Sequence, residues 1–314
     1  MTPRTVPDSN EPLPPHPAGH PDPSLPVLTA EQADRLRSLA VTCLDDRGIR
    51  VTVDGAVLRG PSRVLSLESL ARRCSTAESD QWPALVDAHI STLAGTESGP
   101  GPAEDVLRGA YLRLVPDDFL PAEAAAAFSY AQPVADGLLE AIALDTPDAV
   151  RLLDDKDVTA IGLEALRSAA RANLVNEPVD RETVCHDGAL IHLIAGDSFF
   201  VASKALVLPE LLRTYVGQGP PADGVLLTVP SRHRLAFHLI VDEHAVSAVN
   251  ALASFGLGAY QDAVGDGQLS PRLYWWHQDR LTSITHIDHE TRQFSIQPPP
   301  ELLAAMRRLS TPTN

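Results

Sequence analysis

The chain has 314 residues and a formal net charge of −16, with 44% hydrophobic and 5% aromatic residues. That length allows one large domain or two modest ones and the burial of roughly 75% of the unfolded surface. The acidity argues against nucleic acid as a partner, because phosphates reward basic surfaces, and three widely separated cysteines, Cys43, Cys74 and Cys185, argue against a disulfide framework.

The thiols read as free groups in a reducing compartment. The first residues lack an apolar leader. No segment approaches the 18 or so consecutive apolar residues that a membrane helix needs. The expectation is a cytoplasmic protein with no membrane partner. Only two lysines, Lys156 and Lys204, occur among the 25 basic residues. That bias reads as genome composition rather than function.

Residues 1–28 hold nine prolines and almost no apolar periodicity, so a disordered or polyproline-like tail is expected there. Order is expected from Thr29, which with Gln32 three residues later forms a capping-box pattern. The helix that follows carries Ala33, Leu36, Leu39, Ala40 and Cys43 at helical spacing. Alternating β-branched residues around Asp54 and Gly55 predict a hairpin. Residues 66–74 read as a short helix and residues 82–93 as another, with Pro83 in its first turn. The Gly-, Pro- and acid-rich residues 94–105 are the best linker candidate. The predicted organisation is therefore a tail over 1–28, a helix and hairpin subdomain over 29–105, and an α+β domain over 106–314.

In that last domain, strands are expected over 111–115, 129–134, 138–145 and 149–153, with a turn at 145–148. The acidic run Asp154, Asp155, Asp157 should lead into a helix over 163–174 and cap its start. Two strand–turn–strand–helix units then follow. The first pairs 189–194 with 199–202 about a turn at 196–198, and its helix contains Pro209. The second pairs 225–229 with 235–241 about Pro230–Arg234, followed by a helix from 243. Strands over 273–276, 281–287 and 292–296 and a helix over 301–309 complete the chain. Hairpins mixed with helices mean an α+β fold with mainly antiparallel, hairpin-built sheet.

The motifs of the most legible enzyme classes are missing. There is no Gly-rich phosphate loop, no G-x-S-x-G and no H-E-x-x-H. His286, Asp288 and His289 are metal-ligand types, but turn chemistry accounts for them and the spacing splits them across a strand. No metal and no cofactor is expected. Cys185 beside His186 suggests a nucleophile, yet adjacent residues on extended chain point apart. The third cluster is Ser203 with Ser231, Arg232, His233 and Arg234. A tight turn does not need two arginines, and arginine forks suit carboxylates and phosphates.

At these residues the sequence resembles a bacterial family known as domain of unknown function 1444. The matching residues are Ala202, Ser203, Leu206, Leu208–Leu211 and Val229–Arg232. Upstream, Pro133–Leu138, Leu144–Asp145, 149–153 and 169–174 fit in the same order. The resemblance covers most of residues 30–290 and implies a cytoplasmic α+β protein. It departs at His233, where the family tends to carry an acid.

The function expected from the sequence is a non-catalytic binding protein. It would use the acidic surface or the 230–234 turn to hold a basic protein partner, as an immunity or regulatory protein does. The alternative is a small-molecule hydrolase or transferase acting on an anionic substrate. His233 would then be the general base, with arginines holding the substrate. The two readings place the same side chains differently: on an exposed surface for the first, around a concave pocket for the second.

Overall fold

The computed structural model describes residues 20–59, 64–94, 101–120, 125–146, 150–263, 267–288 and 293–310. The fold is α+β. Helix α1 (Ala30–Asp45) opens with the expected capping box: Gln32 N–H donates to Thr29 Oγ1 at 3.3 Å, and Thr29 N–H donates to Gln32 Oε1 at 2.9 Å. It buries Ala33, Leu36, Ala40 and Leu44, one stripe at helical spacing. The predicted hairpin forms as β1 (Thr52–Asp54) and β2 (Val57–Arg59). A third strand, β3 (Val64–Ser66), joins β2 and takes the first residue of the expected helix. That helix, α2, therefore runs over Glu68–Ser75. With α3 (Trp82–Ala94), these elements close a core of their own around Leu36, Leu58, Leu70, Trp82 and Ile90.

Of the predicted tail, residues 1–19 lie outside the described residues. Residues 20–28 are part of the fold, which corrects the expectation. Leu25 and Leu28 are each 1% exposed and belong to the N-terminal core. Asp22 fixes the turn that carries them: its Oδ1 accepts from Ser24 and Leu25 N–H, and its carboxylate pairs with Arg37 at 2.7 Å. Burial opposes its ionisation, but Arg37 and the two backbone donors outweigh burial and hold the carboxyl below its usual 3.8. Asp22→Ala is expected to cost about 2 kcal/mol in urea unfolding, since a mostly buried guanidinium loses its partner. Because the folded value is depressed, this contribution is present above pH 3.8 and is lost as pH falls through the lower folded value.

The end of the expected linker is helical, as α4 (Ala103–Gly109) begins inside it. Four strands then form one sheet: β4 (Ala110–Pro116), β5 (Gln132–Ala135), β6 (Leu138–Asp145) and β7 (Val150–Leu152). Strand β6 pairs with β4 on one side and with β5 and β7 on the other. The acidic run caps a helix, but a separate short one ahead of the expected helix, which Gly162 divides from it. Asp154 accepts from Lys156 and Asp157 N–H at 2.9 Å, at the start of α5 (Asp155–Ile161), which precedes α6 (Leu163–Asn176).

The larger sheet has six antiparallel strands: β8 (Asp180–His186), β9 (Ala189–Ala195), β10 (Val225–Ser231), β11 (Arg234–Leu239), β12 (Leu273–His277) and β13 (Arg280–Ser283), in the order β13-β12-β10-β11-β9-β8. One expected hairpin is not formed. Strand β9 pairs with β8 through Asp187 and Gly188, not with 199–202. Those residues lead instead into a 3-10 segment, Ala202–Val207, and then α7 (Leu208–Tyr215), with Pro209 in its first turn as expected. The sheet packs α8 (Ala245–Asp262) and α9 (Pro300–Leu309) on one face. On the other face, α7 and residues of the smaller sheet, Leu114 and Leu138, close a second core. The predicted strand 281–287 breaks at Ile284, after which β14 (Thr285–Asp288) and β15 (Gln293–Ile296) form a separate hairpin. No helix among the described residues is long and apolar enough to cross a membrane.

Two histidines in the larger sheet make its stability pH-dependent. His238 is 3% exposed, and its Nδ1 lies 2.9 Å from the Leu190 carbonyl oxygen. Burial holds its pKa below 6.5. His192 is lowered by burial first and then by His238 and Arg181. The unfolded chain therefore binds more protons than the folded one. Stability is complete above the unfolded value and declines as pH drops toward the folded values. The urea midpoint should fall between about pH 7.5 and about pH 5.5, and His238→Gln should flatten that slope.

Candidate functional site

The 230–234 turn forms where the sequence placed it, with β10 ending at Ser231 and β11 starting at Arg234. It does not present its side chains on one surface. Ser203 is 1% exposed, and its Oγ accepts the Leu114 N–H at 2.9 Å, tying the 3-10 segment to β4. Ser231 is buried. Arg232 is also buried. Its guanidinium pairs with Glu68 of α2 and lies over the Phe199 ring, 4.1 Å from the centroid. Its Nε–H donates to His233 Nε2 at 2.9 Å. With Nε2 accepting, the His233 proton is on Nδ1, which faces the Gly196 carbonyl at 3.1 Å. Arg234 is exposed.

The cluster therefore splits. Ser203 and Ser231 are structural, His233 orients Arg232, and Arg232 joins the N-terminal unit to the larger sheet. The close fit depends on Gly267. A Cβ there would come within 2.6 Å of Arg232 Cδ, and its φ of +74° is unfavourable for other residues.

The other two sequence candidates do not assemble. His286 and Asp288 lie on β14, and His289 falls outside the described residues. Among the described residues, no three His, Cys, Asp or Glu side chains stand together as a metal site. Cys185 and His186 are neighbours on the exposed edge strand β8 and point to opposite faces.

What the turn does border is a cavity of about 730 Å³ between the N-terminal unit and the rest of the fold. Ser24, Gly55 and Glu68 line it from one side, and β4, β7 and residues 267–272 from the other. Four arginines and five carboxylates are on its wall. Arg151 pairs with Asp157, and Arg232 pairs with Glu68. Arg272 donates to the Thr285 carbonyl at 2.9 Å and shares the surroundings of the Tyr274 hydroxyl with Asp117 and Asp136.

Arg113 is different. Its Nε–H is buried without a hydrogen-bond partner among the described residues. Burial pulls its pKa down to about 10, with no carboxylate among the described residues offsetting it. At neutral pH it is still a cation. A buried cation without a counter-charge is costly, and an unsatisfied donor of this kind is where an unseen ion or ligand is to be sought.

Sequence reasoning passed over Arg113. It sits between Leu112 and Leu114 in an alternating strand, so its face of β4 reads as the solvent side. A charged residue in the middle of that strand was the available signal. No family model, curated protein or solved structure matches the chain, so the reading of the site rests on geometry.

Proposed function

We propose that this is a non-catalytic binding protein that takes a small organic anion in the cavity between its N-terminal unit and its sheets. The observation that carries the reading is Arg113, a guanidinium with no carboxylate partner among the described residues, on the wall of a cavity of ligand size. An anion there supplies both the missing counter-charge and the missing acceptor. His233, the base required by the enzymatic alternative, is not on the described cavity wall, and the described lining includes no histidine or cysteine. The net charge of −16 also suits a basic protein partner. It singles out no site, whereas the cavity does.

The test is native mass spectrometry of the protein purified gently from its own host, alongside Arg113→Met. The expected result is a stoichiometric small mass on the wild type that is absent from the variant. A wild type that carries no such mass, and whose melting temperature is unmoved by a panel of organic anions, would overturn the proposal.

A further inference from the structure

Resting on that reading, we infer that the ligand is a monocarboxylate with an apolar body, gripped through the Arg113 fork. The charge on the wall sets the valence. Among the described lining residues Arg151 and Arg232 pair with carboxylates, Arg272 donates to a backbone carbonyl, and Arg113 has neither kind of partner, while Glu68, Asp117, Asp118, Asp154 and Asp157 also line the cavity. A single negative charge is neutralised by Arg113. A second would add to a described wall that already carries five carboxylates against four arginines.

Phosphate monoesters approach two negative charges at neutral pH. Proteins hold them with several donors, such as a Gly-rich loop or a helix N-terminus that aims backbone N–H groups at the phosphate. The described wall offers no Gly-rich loop of this kind, and at the helix start it does include, that of α5, the Asp154 carboxylate already takes the Lys156 and Asp157 N–H groups. A carboxylate needs only the two parallel N–H groups of one guanidinium, and that geometry is the strongest form of the contact. The rest of the lining suits an apolar body: Val57, Phe119, Leu120, Phe128, Leu152 and Ile287 all border the space. Apolar walls with one charged anchor are the usual composition of a small-molecule site.

The experiment is isothermal titration calorimetry with three probes of similar shape: phenylacetate, phenyl phosphate and phenylacetamide. Each is titrated into the wild-type protein, Arg113→Lys and Arg113→Met, with folding checked by circular dichroism. Phenylacetate is expected to bind wild type at least about tenfold more tightly than either other probe. Arg113→Lys should weaken it by about tenfold, because the charge remains but the fork is lost, and Arg113→Met should abolish it.

Phenyl phosphate binding more tightly than phenylacetate, and losing affinity with Arg113, would overturn the carboxylate assignment while leaving the anion reading in place. Binding of no anionic probe, with no anion carried from the host, would overturn both. Phenylacetate binding unchanged in both Arg113 variants would overturn the assignment of the grip. Lys and Met together guard against misfolding, since both keep a flexible, unbranched stem.

Discussion

Replacing Glu68 with alanine is expected to destabilise the protein by about 3 kcal/mol, a large fraction of a typical domain's stability. The two side chains of the Arg232–Glu68 pair are 6% and 11% exposed. Breaking such a pair leaves a buried charge, and that penalty exceeds what the intact pair contributes relative to an apolar contact. Arg232 keeps the Phe199 ring and His233, which places the estimate at the low end for a buried pair. Arg72, on the same helix as Glu68, lies 5.8 Å from the centre of the Phe199 ring. Loss of the ion pair therefore weakens the docking of α2 as well as the turn.

A double-mutant cycle with Glu68→Met, Arg232→Met and the double variant isolates the pair. The single variants should each lose stability, and the double should recover part of it, with a coupling of about 1–3 kcal/mol. If Glu68→Ala unfolds within about 0.5 kcal/mol of wild type, the pair does not hold the two units together.

The elements that the sequence predicted were those whose signal is local. The Thr29 capping box, the Asp54–Gly55 turn, the Asp154 cap and the turn at 230–234 each need only a few neighbouring residues. Strand β8 was not legible. Asp180–His186 lies at a sheet edge, with almost every side chain exposed, so it has no buried face to produce alternation. With its true partner unseen, β9 was matched to the apolar run at 199–202. Of those residues, Phe200, Val201 and Ala202 are buried because the chain there turns into the 3-10 segment and packs into the core, not because they form a strand. Residues 20–28 were hidden for the opposite reason. Proline content read as disorder, yet two leucines and one aspartate sufficed to fix the segment.

The candidate site was legible only at its rim. Arg232 stood out in the sequence because two arginines and a histidine crowd one turn. Its role is to close the wall of the cavity, and that depends on Glu68, 164 positions earlier in the chain. Arg113 had no local mark beyond its charge, because what covers one face of a strand is decided by distant segments. The N-terminal unit forms the opposite wall of the cavity, and no pattern within β4 encodes that.

Arg113→Met should make the ligand-free protein more stable, not less. Most substitutions at partly buried positions destabilise. Here the native side chain carries an uncompensated charge and a buried Nε–H without a partner. Methionine removes both costs and keeps a flexible, unbranched side chain. The expected gain is about 1–2 kcal/mol, seen as a higher urea midpoint with an unchanged slope. The wild type should recover the difference only when an anion is supplied, because a ligand that binds the folded state stabilises it by RT ln(1 + [L]/Kd). The order of stability should therefore reverse: Arg113→Met above wild type without anion, and wild type above Arg113→Met with saturating phenylacetate. A structural arginine shows no such reversal, since its removal would lower stability under both conditions. An Arg113→Met protein less stable than wild type in anion-free buffer would mean that this guanidinium already has its counter-charge within the fold, and the cavity would lose its claim to an anionic ligand.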